Sequence, residues 1–222
     1  IIPLATHKDV NIDFETKFKN QYKIIASKIK ESNMRVDIHT DQYTILNSTN
    51  KDVLENSVKN LEHEYKVLTL IGGTTTLILH IGSNAFGKEK SLRRFVNNFN
   101  KLPNYLKDAI VVENDDKIFN VIDTLNLCKE LNIPFVLDYH HHICNGANEI
   151  DIKNYYNEIF STWKKINPKV HFSSPKNNTK KDRRSHHDYI NLDSFISFIE
   201  EIKTLNFDID IMIEAKEKDD AM

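Results

Sequence analysis

The feature that most constrains this chain is the regular return of short, β-branched apolar runs separated by longer stretches with helical period. The runs are Val36-Asp37-Ile38-His39, Leu77-Ile78-Leu79-His80-Ile81, Ile110-Val111-Val112-Glu113, Phe135-Val136-Leu137-Asp138, Val170-His171-Phe172 and Ile209-Asp210-Ile211-Met212-Ile213-Glu214. Each predicts a buried strand. Between them, Phe14, Phe18, Tyr22, Ile25 and Ile29, then Val53, Val58, Leu61, Tyr65 and Leu68, recur at the spacing of one helix face. Ile118, Ile122, Leu125 and Leu127 repeat the pattern, as do Tyr155, Ile159, Phe160 and Trp163. These are amphipathic helices with one face turned inward. Parallel strands require crossover connections long enough to hold a helix, and successive strand starts here lie 25 to 41 residues apart. With Ile1 to Ala5 read as the tail of one more strand, the expectation is an α/β chain forming a TIM (β/α)8 barrel, incomplete because the first βα unit is missing. An open doubly wound sheet is the alternative. No linker or low-complexity tract interrupts the pattern, so residues 1–222 read as a single domain.

Composition narrows the function classes. A chain of 222 residues can bury a large core, and no apolar run approaches the roughly 18 residues that would span a bilayer. An integral membrane protein is excluded, and no membrane partner is expected. Cys128 and Cys144 are too few for a disulfide framework or a Cys-rich zinc site, which points to a reducing, cytoplasmic compartment. The chain begins at Ile1 without an initiator Met or a signal-peptide pattern, as a fragment of a longer product would. Among five glycines, the Gly72-Gly73 cluster is followed by Thr74-Thr75-Thr76 and not by a lysine-bearing phosphate loop, so no nucleotide cofactor is expected. The net charge of −2 creates no global positive field, and any nucleic-acid contact must use local patches. Lys176, Lys180, Lys181, Arg183 and Arg184 form one, in the irregular polar stretch from Ser173 to Asp188. Lys88, Lys90, Arg93 and Arg94 form a second, read mainly as a solvated face.

The ionisable residues carry the chemistry. At or near the C-terminal ends of the strands stand His39, His80, Glu113, Asp138, His171 and Glu214, all of them metal-ligand types. The C-terminal mouth is where a barrel keeps its active site, and charge at a strand end is costly unless paired or metal-bound. One such histidine alone would read as a hydrogen-bonded rim residue. Strand ends converging on one axis would instead crowd carboxylates that repel one another, a conflict that two or three divalent ions resolve. In Asp138-Tyr139-His140-His141-His142, strand alternation puts Asp138 and His140 on one face and starts the loop at His141. Lys169 shares a face with His171, where neighbouring cations would depress its pKa and free the amine to react with carbon dioxide; an ordinary lysine paired with a carboxylate is the alternative. His186 and His187 are ambiguous in the same way, and His63 reads as a helix-packing residue. Imidazole and carboxylate ligands without thiolate suit Mn2+, Zn2+ or Fe2+ better than Ca2+, and such a cluster suits phosphoryl hydrolysis. A sugar isomerase or epimerase on the same barrel is a competing reading.

Several of these segments, taken in order, resemble the UV damage endonuclease family. They are Pro3-Leu4-Ala5-Thr6-His7, His39-Thr40-Asp41-Gln42-Tyr43, His80-Ile81-Gly82, Glu113-Asn114-Asp115-Asp116-Lys117, Asp138-Tyr139-His140-His141, the run from Pro168 to Lys176, Arg184-Ser185-His186-His187-Asp188-Tyr189-Ile190 and Met212-Ile213-Glu214-Ala215-Lys216. The resemblance implies a barrel akin to that of endonuclease IV, holding two to three divalent ions, Mn2+ first among them, with incision of the phosphodiester immediately 5′ of a UV photoproduct in double-stranded DNA. It implies as metal ligands His39, His80, Glu113, Asp138, His141, His171, His186 and Glu214. It makes Lys169 the carboxylated lysine, His7 a further active-site histidine, and Gln42 with Tyr43 the pair that probes the duplex at the lesion. The family begins with another strand and helix ahead of the region that starts at Ile1, so an N-terminally truncated barrel is the expectation, and a fragment that binds damaged DNA without cutting it is a second competing reading. His142 and His187 stand where the family has other residue types, and both read as non-ligands.

Overall fold

A computed structural model describes residues 6, 7, 9, 10, 12–177, 179 and 182–221. The strand read from Ile1 to Ala5, and Lys180 and Lys181 of the first basic patch, lie outside the described residues. The chain divides into two compact units, residues 1–111 and 112–222.

In the first unit the order is α1 (Phe14–Lys17), α2 (Lys19–Ser32), β1 (Ile38–His39), α3 (Lys51–Leu70), β2 (Leu77–His80), α4 (Lys88–Phe99) and α5 (Asn104–Ala109). The periodic stretch from Phe14 to Ile29 is broken at Phe18, whose φ of −109° and ψ of 18° leave the helical range, so two helices replace the one expected. Asp13 caps the first of them by accepting from the Thr16 amide at 3.1 Å. Asn50 starts α3 by accepting from the Asp52 and Val53 amides at 2.8 and 3.3 Å, which satisfies donors that a helix start leaves orphaned. The buried stripe of α3 runs through Ser57, Leu61, Glu64 and Leu68 at helical spacing. Strands β1 and β2 pair in parallel with Ile38 opposite Leu77 and His39 opposite Ile78. Leu61, Leu68, Leu77, Leu79, Phe95 and Leu106 form the dry core of this unit.

Gly82, just past β2, has φ +101°, and a Cβ placed on it would stand 2.9 Å from both the Asn47 Oδ1 and the Ile45 Cγ2 atoms. Gly82→Ala therefore combines a disfavoured backbone with a clash, at a cost of at least about 1 kcal/mol. A fall in melting temperature of at least a few degrees is the expected result. An unchanged thermal midpoint would show that the loop relaxes freely.

The boundary between the units falls inside β3 (Ile110–Glu113). There follow α6 (Val121–Leu131), β4 (Phe135–Asp138), α7 (Tyr139–Cys144), a 3-10 turn at Ile152–Asn154, α8 (Tyr156–Ser161), β5 (Lys169–Phe172), α9 (Leu192–Ile202) and β6 (Asp210–Ile213). In the second unit the strands pair in sequential parallel order, with Glu113 opposite Val136, Asp138 opposite His171, and Phe172 opposite Ile213. Helix α6 opens with a capping box between Asn120 and Asp123 and ends on Asn132, in the left-handed conformation at φ +57°. Helix α8 is tied to β4 through the Trp163 indole, which donates to the Phe135 carbonyl at 2.7 Å, and through the Thr162 hydroxyl, which accepts from the Phe135 amide at 2.9 Å. The strand runs read from the sequence fall within two residues of those observed. The exceptions in character are β1, where His39 is exposed, and β6, only partly buried, with Met212 exposed.

Candidate metal centre

Three of the strand ends in the second unit converge. One ligand atom from each of Glu113, Asp138 and His171 lies within 4.8 Å of the other two, and all three residues are buried. Their register explains the meeting. Asp138 is paired with His171 across β4 and β5, while Glu113 ends β3 on the other side of β4. The Glu113 Oε1 atom is 3.2 Å from His171 Nδ1 and 3.5 Å from His141 Nδ1. Glu214, just past β6, reaches His171 Nδ1 at 3.0 Å, and its other oxygen is 3.7 Å from His186 Nδ1. Six of the expected ligands, Glu113, Asp138, His141, His171, His186 and Glu214, thus form one chain of contacts. Lys169 lies on the same strand as His171, with both side chains buried.

Strand alternation does not continue past Asp138. The Asp138 Oδ1 atom accepts from the His141 amide at 2.7 Å and so caps α7, turning the chain helical at Tyr139. This overturns the expectation that His140 shares a face with Asp138. The helical turn brings His141 back over the carboxylates instead, 3.4 Å from Asp138 Oδ2. His140 is buried with its ring 5.6 Å from that of His186, and burial holds its pKa down. His142 is buried on the helix, and the half-buried His187 accepts from the Tyr189 amide within its own turn.

The electrostatics describe a site short of positive charge. Burial holds the Asp138 carboxyl above the usual carboxylate range. Burial alone would disfavour a charged imidazole at His141 and His171, yet the carboxylates around them outweigh it and hold both above the ordinary histidine value. At Glu214 burial acts upward, but the hydrogen bond and charge of His171 win and lower its pKa. The carboxylates of this cluster thus favour positive charge beside them. The Asp138 Oδ2 atom is buried without a hydrogen-bond partner. Donor atoms 3.0–3.5 Å apart have the spacing of ligands sharing one ion at roughly 2.0–2.2 Å, so the residues fit a divalent cation.

Asn114 escaped the sequence reading. Fully buried, it brackets the Asp138 backbone, donating to the carbonyl and accepting from the amide, both at 2.9 Å. The Asn114 carbonyl accepts from His141 Nδ1 at 3.0 Å, which orients that ring. Its place directly after a strand-end carboxylate was the available signal. In the irregular stretch after β5, Arg183 donates to the Ile143 carbonyl and Arg184 pairs with Asp116 at 3.3 Å, so these two cations of the patch also hold structure.

In the first unit, His39 and His80 end β1 and β2 with ring centroids 5.3 Å apart and one nitrogen of each within 4.8 Å of the other. Gln42 and Tyr43 occupy an exposed turn held by Asp41, whose Oδ1 accepts from the Tyr43 amide at 2.7 Å and whose carbonyl accepts from the Thr44 amide at 3.0 Å. His7 is exposed, 3.7 Å from Asp9.

The chain is similar to known proteins. The family model described as UV-endonuclease UvdE matches residues 1–222. The UV DNA damage endonuclease of Bacillus cereus (strain Q1) is 40% identical over 226 aligned residues, spanning 100% of this chain and 70% of that protein. The crystal structure of SacUVDE superposes with a TM-score of 0.88 at 33% identity, over 97% of this chain and 72% of that one. Endonuclease IV from Thermus thermophilus superposes with a TM-score of 0.62 at 13% identity, over 95% of this chain and 79% of that one, a likeness of fold alone. The fold class is α/β, an incomplete TIM barrel contributing six parallel strands.

Proposed function

Because the chain belongs to the UV-endonuclease UvdE family, we propose that it is a metal-dependent DNA repair endonuclease that cuts the phosphodiester immediately 5′ of UV photoproducts in duplex DNA. The observation that carries the metal dependence is the buried meeting of Glu113, Asp138 and His171. His141, His186 and Glu214 extend this ligand set, and His39 and His80 supply two further imidazoles from their own strand ends. Two to three divalent ions, Mn2+ first among them, would lower the pKa of a water and take up the charge that develops on the phosphoryl and leaving oxygens. The chain's own residues hold that arrangement. Asn114 fixes the Asp138 backbone and the His141 ring, and Glu214 orients His171. Gln42 and Tyr43 probe the lesion, and His7 is a further active-site histidine. Among the described residues no helix is long and apolar enough to cross a membrane, and the reading places the chain inside the cell, on DNA.

The test is a nicking assay on a UV-irradiated duplex with Mn2+, against the same duplex unirradiated. Nicks at the 5′ side of the lesion support the reading, and no damage-dependent nicking at any divalent ion would overturn it.

Lys169 supplies a second test. Its side chain is buried on β5, with the residue only 3% exposed, and a carbamate there adds a negative group beside His171. Lys169→Arg is expected to lower nicking severalfold and to remove a bicarbonate-dependent gain present in the unmodified sequence. Identical rates with and without bicarbonate in both forms would count against carboxylation.

A further inference from the structure

Phe86 lies in the loop between β2 and α4, 77% exposed and at φ +65°. Glycine adopts that backbone without cost and phenylalanine does not, and a ring left in water contributes no burial. Neither its backbone nor its side chain therefore stabilises the fold. The loop that holds it is nonetheless firmly built. The buried Asn47 side chain donates to the Ser83 carbonyl and accepts from the Ser83 amide, both at 2.7 Å. Arg94 donates to the Asn47 carbonyl at 2.9 Å and to the Ala85 carbonyl at 2.6 Å, and the Ser91 hydroxyl donates to the same Ala85 carbonyl at 3.1 Å. These bonds join the loop after β2 to the loop after β1, the one that presents Tyr43. Arg94, read from the sequence as part of a solvated basic face, is a brace. Past Phe86, α4 exposes Lys88, Lys90 and Arg93, with Glu89 among them.

We propose that Phe86 is a second DNA-contacting ring, preorganised to pack its face against a nucleobase unstacked beside the lesion while the neighbouring cations meet the phosphates. Strain already present in the free protein removes an ordering cost from binding, and stacking on an aromatic face tolerates any base. Phosphate contacts from the start of α4 would set position without reading sequence. The proposal deepens the endonuclease reading and rests on it.

Phe86→Gly separates a binding role from a structural one, because glycine relieves the backbone and deletes the ring together. The thermal midpoint is expected to stay level or rise, while KM for a UV-irradiated duplex rises about tenfold or more. Phe86→Tyr restores the aromatic face and should return KM to within about twofold of the starting value. Unchanged KM in the glycine variant would overturn the proposal, as would a fall in thermal midpoint that accompanies the rise in KM. Should the unaltered chain bind a UV-irradiated duplex without nicking it, the endonuclease reading fails, and fluorescence anisotropy with the same duplex still decides on Phe86. A tenfold weaker Kd for Phe86→Gly supports the ring contact, and an equal Kd refutes it.

Discussion

Glu113→Gln is expected to release at least one equivalent of metal and to lower damage-dependent nicking on the order of 10³-fold or more. The substitution keeps the shape of the side chain and one carbonyl oxygen, so the effect comes from the lost charge. Glu113 stands near both His141 and His171, at 3.5 and 3.2 Å, and it is buried. Removing its charge leaves Asp138 and Glu214 as the remaining carboxylates beside those imidazoles among the described residues, and the amide has one oxygen to offer a cation where the carboxylate had two equivalent ones. The metal count by elemental analysis reports the ligand role independently of turnover. Full stoichiometry in Glu113→Gln would show that this carboxylate only positions the histidines, whatever happened to the rate.

Replacing Gln42 and Tyr43 together by alanine is expected to lower the preference for UV-damaged over intact duplex about tenfold or more, with fold and metal content preserved. Both side chains are exposed, so little packing is lost. The turn itself is held from below. Asp41 accepts from the Tyr43 amide, and the Ser57 hydroxyl accepts from the Ile45 amide at 2.8 Å, bonds that survive truncation of the two side chains. A ring in the gap left by unstacked bases and an amide on their orphaned edges favour a lesion, whose stacking is already weakened. Stacking alone is worth roughly 1–3 kcal/mol per base, enough for the tenfold effect. Binding measured on paired damaged and intact duplexes decides the matter. An equal loss on both would make the pair a support for the loop, and lesion discrimination would then fall to other residues.

Much of this centre was legible before any fold was known. Strand runs such as Phe135 to Asp138 are recognisable by β-branched and aromatic residues with no polar interruption, since a strand covered on both faces has no solvent side. The same runs locate their own ends, because a buried strand tolerates an ionisable residue only where the sheet stops and another group can meet it. Glu113, Asp138, His171 and Glu214 could thus be named from position alone, and the family resemblance added His141 and His186. The helix opening at Tyr139 was not legible. Six residues rich in histidine carry no periodic signal, and what makes them helical is one hydrogen bond from an amide back to a carboxylate three residues earlier. The same holds for Asn114, whose worth lies in reaching a strand 24 residues away.

Local pattern was enough to specify the alternation of strand and helix, the residue types at each strand end and hence the class of chemistry open to the chain. Side-chain period and the cost of burying charge act within a few residues, so a short stretch of chain carries them in full. Which charges meet is settled only in three dimensions. There Glu113 stands between two imidazoles, His141 turns over Asp138 while His140 lies beside His186, Arg94 becomes a brace and Phe86 is held out into solvent. Those outcomes depend on register between strands and on hydrogen bonds between loops far apart in the chain, which no window of sequence contains.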